Sequence, residues 1–231
     1  YYSGIKKVNQ LLENIDKVPA VSDSEETRKA EIIGQAYFLR AFFYHQLYSL
    51  YGRIPLVDHT FDIDSDWVET RADMDDVADF IVKDCESAIE KLPLKYESSD
   101  DFGRATRGAA MAVKARTLLY KASPLFGEPS TEKWQEAAKA SKDIIDLGVY
   151  SLPTVSSSEE YAALFYNTQN PEIIFEKLYN NKGTYGSALH YLFQSPNGPY
   201  NGYNGWGVWL PTYDIVNAFQ NEDGSKYTVK G

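Results

Sequence analysis

The sequence predicts an all-α fold, predominantly helices paired with one another and interrupted by long loops. Three observations carry this. Apolar residues recur at helical spacing through most of residues 3–147. Gly or Pro closes most of these segments, as helix ends require. A degenerate repeat relates the helical stretch at 25–51 to that at 107–123.

Residues 3–16 place Ile5, Val8, Leu12 and Ile15 on one helical face. Residues 25–51 carry the longest pattern, with Ala30, Ile33, Tyr37, Ala41, Tyr44, Tyr48 and Tyr51 in one stripe. Phe38 and Phe42 lie on a second stripe, so this helix is expected to be covered on more than one side. Gly52 fits its C-terminal stop, and Pro55 prevents continuation. Residues 73–92 repeat the pattern with Met74, Val77, Ile81, Cys85, Ala88 and Leu92, ending at Pro93. Residues 107–123 bear the small-residue stripe Ala109, Ala112, Ala115 and Ala122, which lets a neighbour approach closely, and Pro124 follows. Residues 132–147 put Trp134, Ala137, Ala138, Ile144 and Ile145 on an expected core face before Gly148. Beyond it the signal weakens to short helices at 158–166 and 212–220, with 172–179 as a strand or extended segment.

Gly34, Arg40, Ala41 and Gly52 correspond at constant offset to Gly108, Lys114, Ala115 and Gly127, the last slipping by one residue. The offset is about twice the ~34 residues of a tetratricopeptide unit. Two antiparallel pairs are therefore expected, 30–51 with 73–92 and 107–123 with 132–147. Such pairs bury their apolar faces only by stacking. The first copy has a long loop, Arg53–Arg71, where the second has a short one. Insertions on a repeat scaffold are a common seat of function.

Composition narrows the classes. Of 231 residues, 43% are hydrophobic and 24% charged, as in ordinary globular chains, and the formal charge is −10. An acidic surface repels phosphates, which argues against nucleic acid as a partner. Cys85 is the only cysteine, so no intrachain disulfide forms, and its helical setting predicts a buried apolar role. The 18 tyrosines against 2 methionines are the departure from average usage. Tyr joins an apolar face to a polar tip, which suits either helix packing or contact with polar ligands that have apolar faces.

Residues 183–209 intersperse Tyr185, Tyr191, Tyr200, Tyr203, Trp206 and Trp209 with Gly198, Gly202, Gly205 and Gly207. Asn197, Asn201 and Asn204 add amides. Glycines let a loop fold tightly. Flat aromatic faces and amide hydrogen bonds are what a sugar ring, with C–H groups on its face and hydroxyls at its edge, calls for. The other reading is a loop whose aromatics cover the helices. In the inserted loop, Asp62, Asp64 and Asp66 resemble the start of a calcium loop, but Trp67 stands where the sharp turn needs Gly. An acidic, solvated turn fits better, with Trp67 either a ligand platform or a scaffold contact. His45, His59 and His190 have no metal spacing, and no nucleophile elbow or phosphate-binding loop occurs. Glu172 and Glu176 would share a face if extended, the one arrangement resembling a glycosidase pair.

Residues 36–57, Ala-Tyr-Phe-Leu-Arg-Ala-Phe-Phe-Tyr-His-Gln-Leu-Tyr-Ser-Leu-Tyr-Gly-Arg-Ile-Pro-Leu-Val, resemble the signature helix of the SusD/RagB-like family. Other pieces follow in that family's order: Tyr2 to Asn9, Asp84 to Pro93, Gly103 to Ala110, Trp134 to Tyr150, Asn170 to Glu176, and Pro211-Thr212 through Phe219 to Asp223-Gly224. The resemblance implies tetratricopeptide-like helix pairs with long ligand-binding loops. It implies a surface-exposed lipoprotein of the cell outer membrane, seated on a TonB-dependent (SusC-like) transporter. Its role would be to capture oligosaccharides, or other nutrients, without cleaving them, which makes Glu172 and Glu176 structural. Tyr200, Tyr203, Trp206, Tyr191, Trp67 and Asn204 are the expected ligand contacts, with no metal and no cofactor. Family members are much longer. Residues 1–231 are thus expected to be the central part of one such domain, 1–150 its scaffold and 151–231 its loop-rich, ligand-facing region. The chain opens at Tyr1 with no lipidation cysteine, so the anchor is expected outside this segment. The competing reading is a helical-repeat scaffold that binds another protein and no small ligand.

Overall fold

Among the described residues of the first 176, six α-helices follow in order: α1 (Tyr2–Asn14), α2 (Asp23–Tyr51), α3 (Met74–Lys91), α4 (Arg107–Ala122), α5 (Thr131–Asp146) and α6 (Ser158–Leu164). They belong to a computed structural model that describes residues 1–62, 64, 68–165, 167, 170–178 and 212–226. The chain divides into two units, Tyr1–Glu176 and Lys177–Gly231. No strand forms among the described residues.

Helix starts follow local capping chemistry. Ser22, Thr106, Ser130 and Ser157 each accept a hydrogen bond from the backbone N–H three residues on, satisfying a donor that the first turn leaves open. At α2 the Glu25 carboxylate also reaches back to the Val21 N–H, and Asp23 and Glu26 add negative charge to the first turn. Gly52 ends α2 at φ +65°, a left-handed conformation that favours glycine.

Helix α2 is the centre of the first unit. It touches α1, α3 and α4. That explains apolar residues around its whole circumference: Phe38, Ala41, Tyr44 and Tyr48 are all enclosed, on more than one face. Met74 at the start of α3 meets Gly52, and Leu92 just past its end meets Gly34, so α2 and α3 run antiparallel. Lys121 pairs with Asp79, Lys114 with Glu86, and the Arg107 side chain donates to the Leu92 carbonyl, which fixes α4 antiparallel to α3. Helix α5 closes against α4 through Ala115, Leu118, Ala137 and Ala140. The two pairs expected from the repeat are both present. Gly34 and Gly108, its first glycines, do the same job: each admits a side chain from just past its partner helix, Leu92 at Gly34 and Tyr150 at Gly108.

One expectation needs correction. Trp134 and Ile145 are 44% and 76% exposed and Ala138 is exposed too, so only Ala137 and Ile144 of the expected α5 core face pack inward. The described helices cover α5 on its α4 side alone, and the residues in register with Ala137 and Ala140 take that side. Residues 172–178 form no strand; they begin in a turn at Pro171–Glu172 and continue without regular structure. Cys85 is enclosed in the core as expected, and burial pushes its thiol pKa up.

In the second unit, a helix at Tyr213–Ala218 is capped by the Thr212 hydroxyl. A tight turn follows, in which Asp223 accepts from the Ser225 N–H and hydroxyl, and Gln220 bridges to Lys226.

Candidate functional site

Two structures position the loops of the first unit. The first is a buried polar hub. Arg40 donates from Nε and Nη2 to both oxygens of Asp84, at 2.7 and 2.8 Å, and from Nη1 to Asn9 Oδ1 at 2.9 Å. Its guanidinium lies over the rings of Tyr37 and Phe80, at 5.5 and 5.1 Å. Burial alone would lower the Arg40 pKa, but the Asp84 carboxylate outweighs it and raises it. Burial raises the Asp84 pKa against the pull of Arg40. The bidentate geometry keeps the pair ionised at neutral pH, because a guanidinium does not give up its proton there. Asn9 Nδ2 then donates to the carbonyls of Val57 and His59, both at 3.0 Å. The Tyr44 hydroxyl accepts from the Val57 N–H and donates to its carbonyl. Glu13 holds Thr60 by N–H and hydroxyl. The hub therefore fixes the first third of the inserted loop against α1 and α2.

The second is a cleft of about 680 Å³, within the range of small-ligand sites. One wall is the loop from Leu94 to Thr106. Pro93 stops α3, Gly103 turns the chain at φ +86°, and the Arg107 N–H donates to the Pro93 carbonyl to close the loop. Asp101 accepts from Arg28 and Arg104, and those hydrogen bonds, Arg28 first, hold its carboxyl below the usual range. Gln35 donates to the Tyr96 hydroxyl, which donates to the Ala105 carbonyl.

The facing wall is the strap Asn170–Glu176 with Val149 and Tyr150. Asn170 is buried and organises it: its amide donates to the Leu164 carbonyl and its oxygen accepts from the Glu172 N–H. The Ser151 N–H joins the strap at the Pro171 carbonyl. Ile174 packs on the main core, and Phe175 stacks edge-on against Phe38 at 5.0 Å and Phe42 at 6.3 Å. Phe102 and Phe175 stay 42% and 39% exposed. Glu176 Oε1 is buried without a hydrogen-bond partner.

The six residues expected to contact ligand, Trp67, Tyr191, Tyr200, Tyr203, Asn204 and Trp206, lie outside the described residues. Asp62 and Asp64 are exposed, and Asp66 is also outside that set. No group of three metal-ligating side chains occurs among the described residues. Sequence reasoning did not single out the cleft. The signal was present, since Gly103–Thr106 and Asn170–Glu176 are two of the recognisable motifs, and they face one another across it.

Comparison with known proteins places these features in context. The family profile described as "Starch-binding associating with outer membrane", of the SusD-like type, matches residues 1–119. A SusD-like protein of Formosa agariphila is 27% identical over 176 residues, covering 75% of this chain and 30% of its own length. A crystal structure of a SusD-like protein from Bacteroides fragilis superposes with a TM-score of 0.80 at 30% identity, over 99% of this chain and 42% of that one. Surface glycan-binding protein A from Bacteroides uniformis superposes with a TM-score of 0.53 at 27% identity, over 66% of this chain and 32% of its own. The chain thus spans less than half the length of each of these relatives.

Proposed function

This chain belongs to the SusD-like family, and we propose that it captures oligosaccharides at the cell surface for delivery to a TonB-dependent, SusC-like transporter. The match of residues 1–119 to a starch-binding family associated with the outer membrane carries this reading. The glycan-binding relative supports it. No described helix is long and apolar enough to cross a membrane; attachment through a lipid anchor is part of the proposal and rests on the outer-membrane association of the family. Binding without cleavage fits the chemistry of the first unit. Buried titratable groups such as His45, Asp84 and Cys85 sit inside the helical core, where no polymer reaches them.

We assign ligand contact to Tyr200, Tyr203, Trp206, Tyr191 and Asn204, on the Gly/Asn/aromatic composition of residues 183–209, and to Trp67 in the inserted loop. Three engaged rings at ~1.5 kcal/mol each correspond to a Kd on the order of a millimolar. Such weak binding suits a protein that hands its cargo onward. Calorimetry with a panel of oligosaccharides tests the reading. Tyr203→Ala or Trp206→Ala should weaken binding several-fold with an unchanged melting temperature. Variants that melt lower yet bind normally would make these rings packing residues. Release of shorter sugars during incubation, lost in Glu172→Gln or Glu176→Gln, would overturn the non-catalytic assignment.

A further inference from the structure

We propose that the cleft between the 94–104 loop and the 170–176 strap is itself a carbohydrate subsite, with Glu176 as hydrogen-bond acceptor and Phe102 and Phe175 as stacking faces. It is built wholly from the first unit, and nothing in the family comparisons assigns it. It rests on the reading that the protein binds oligosaccharides, and it adds a place and an acceptor to that reading.

A buried carboxylate oxygen seeks donors, and one without a partner is disfavoured. Glu176 Oε1 is in that position. Two of the donors in the cleft lining are engaged elsewhere, Arg104 with Asp101 and Gln35 and the Tyr96 hydroxyl with the Ala105 carbonyl, while Lys95 in the same lining is exposed. A donor from an occupant would satisfy Glu176. The same cleft is lined by the half-exposed Phe102 and Phe175. An occupant must therefore carry hydroxyl donors and apolar C–H faces together, the combination found in a pyranose ring. The strap cannot readily retreat from it, because Asn170 locks its start and Phe175 is wedged against Phe38 and Phe42. The cleft walls are thus largely pre-formed, which reduces the ordering cost of binding, while Glu176 must turn its enclosed Oε1 into the cleft to meet an occupant.

The test uses the full chain, a panel of neutral oligosaccharides headed by maltoheptaose, calorimetry, and hydrogen exchange with and without sugar. Sugar should slow exchange at residues 94–104 and 172–176. Glu176→Gln should weaken binding about tenfold, the difference between a charged and a neutral acceptor for one hydrogen bond. It should not lower the melting temperature of the ligand-free protein, since the oxygen has no protein partner to lose. Phe102→Ala, a half-exposed position, should weaken binding several-fold. Oligosaccharide binding that both variants retain, with slowed exchange confined to other residues, would sink the subsite and leave the capture function standing. The subsite fails equally if Glu176→Gln melts lower and binds normally, or if peptides but no sugars slow exchange at the cleft. No affinity for any oligosaccharide removes both proposals.

Discussion

At the scale of a single residue, Arg40 joins Asp84, Asn9 and, through Asn9, the Val57 and His59 carbonyls, so one side chain ties α1, α2, α3 and the inserted loop. Arg40→Met strands the Asp84 charge in the core and should cost about 3–5 kcal/mol in urea unfolding, whereas Arg40→Met with Asp84→Leu should recover much of that loss. His45 offers a pH test. Its Nδ1 stands 3.0 Å from the Thr117 hydroxyl, which donates its own proton to the Val113 carbonyl and so accepts from Nδ1–H. Burial, with a smaller push from Arg116, lowers the imidazole pKa to about 4. The unfolded chain takes up its proton near pH 6.5, the folded one near 4. This contribution is therefore complete above pH 6.5 and is lost as pH falls to about 4, a change on the order of 3 kcal/mol. His45→Gln should remove that part of the slope. Equal slopes in the two proteins between pH 6.5 and 4 would refute the assignment. Surface pairs such as Lys139–Asp143 and Lys142–Asp146 should each matter by less than about 1 kcal/mol.

Among the elements, two glycines set how closely helices approach. A methyl on Gly34 would come within 3.0 Å of Leu92 Cγ and Lys91 Cβ, both close to the backbone of the turn after α3. Ala gains about 1 kcal/mol of helix propensity, but overpacking costs about 1–3 kcal/mol, so Gly34→Ala should destabilise in net. At Gly108 a methyl meets the hydroxyl end of Tyr150. Gly108→Ala should lower the melting temperature, and adding Tyr150→Ala should restore part of it. The repeat in the sequence marked these glycines, yet gave no hint of what they admit, because Leu92 and Tyr150 lie outside the matched segments. The same limit explains α5. Its apolar residues fill two stripes, and periodicity alone does not say which one a neighbour covers. Ala137 and Ala140 pack on α4, and Trp134 and Ile145 stay exposed.

For the molecule as a whole, the central place of α2 has a measurable result. Native-state hydrogen exchange should be slowest in α2, which is covered by α1, α3, α4 and Phe175, and faster in α5 and α6, which carry fewer enclosed side chains. Comparable protection in α5 and α2 would contradict this layering.

The helices, their boundaries to within a few residues, their pairing and the family were all legible in the amino-acid order. They follow from 3.6-residue periodicity, capping residues and motif order, all local along the chain. The union of Asn9, Arg40 and Asp84 in one hub was not legible there, since the three come from three helices far apart in sequence. Packing likewise brought Phe102 opposite Phe175 and left Glu176 Oε1 unpartnered, because a cleft is made by segments that meet only when the chain is folded, and no local pattern encodes that meeting.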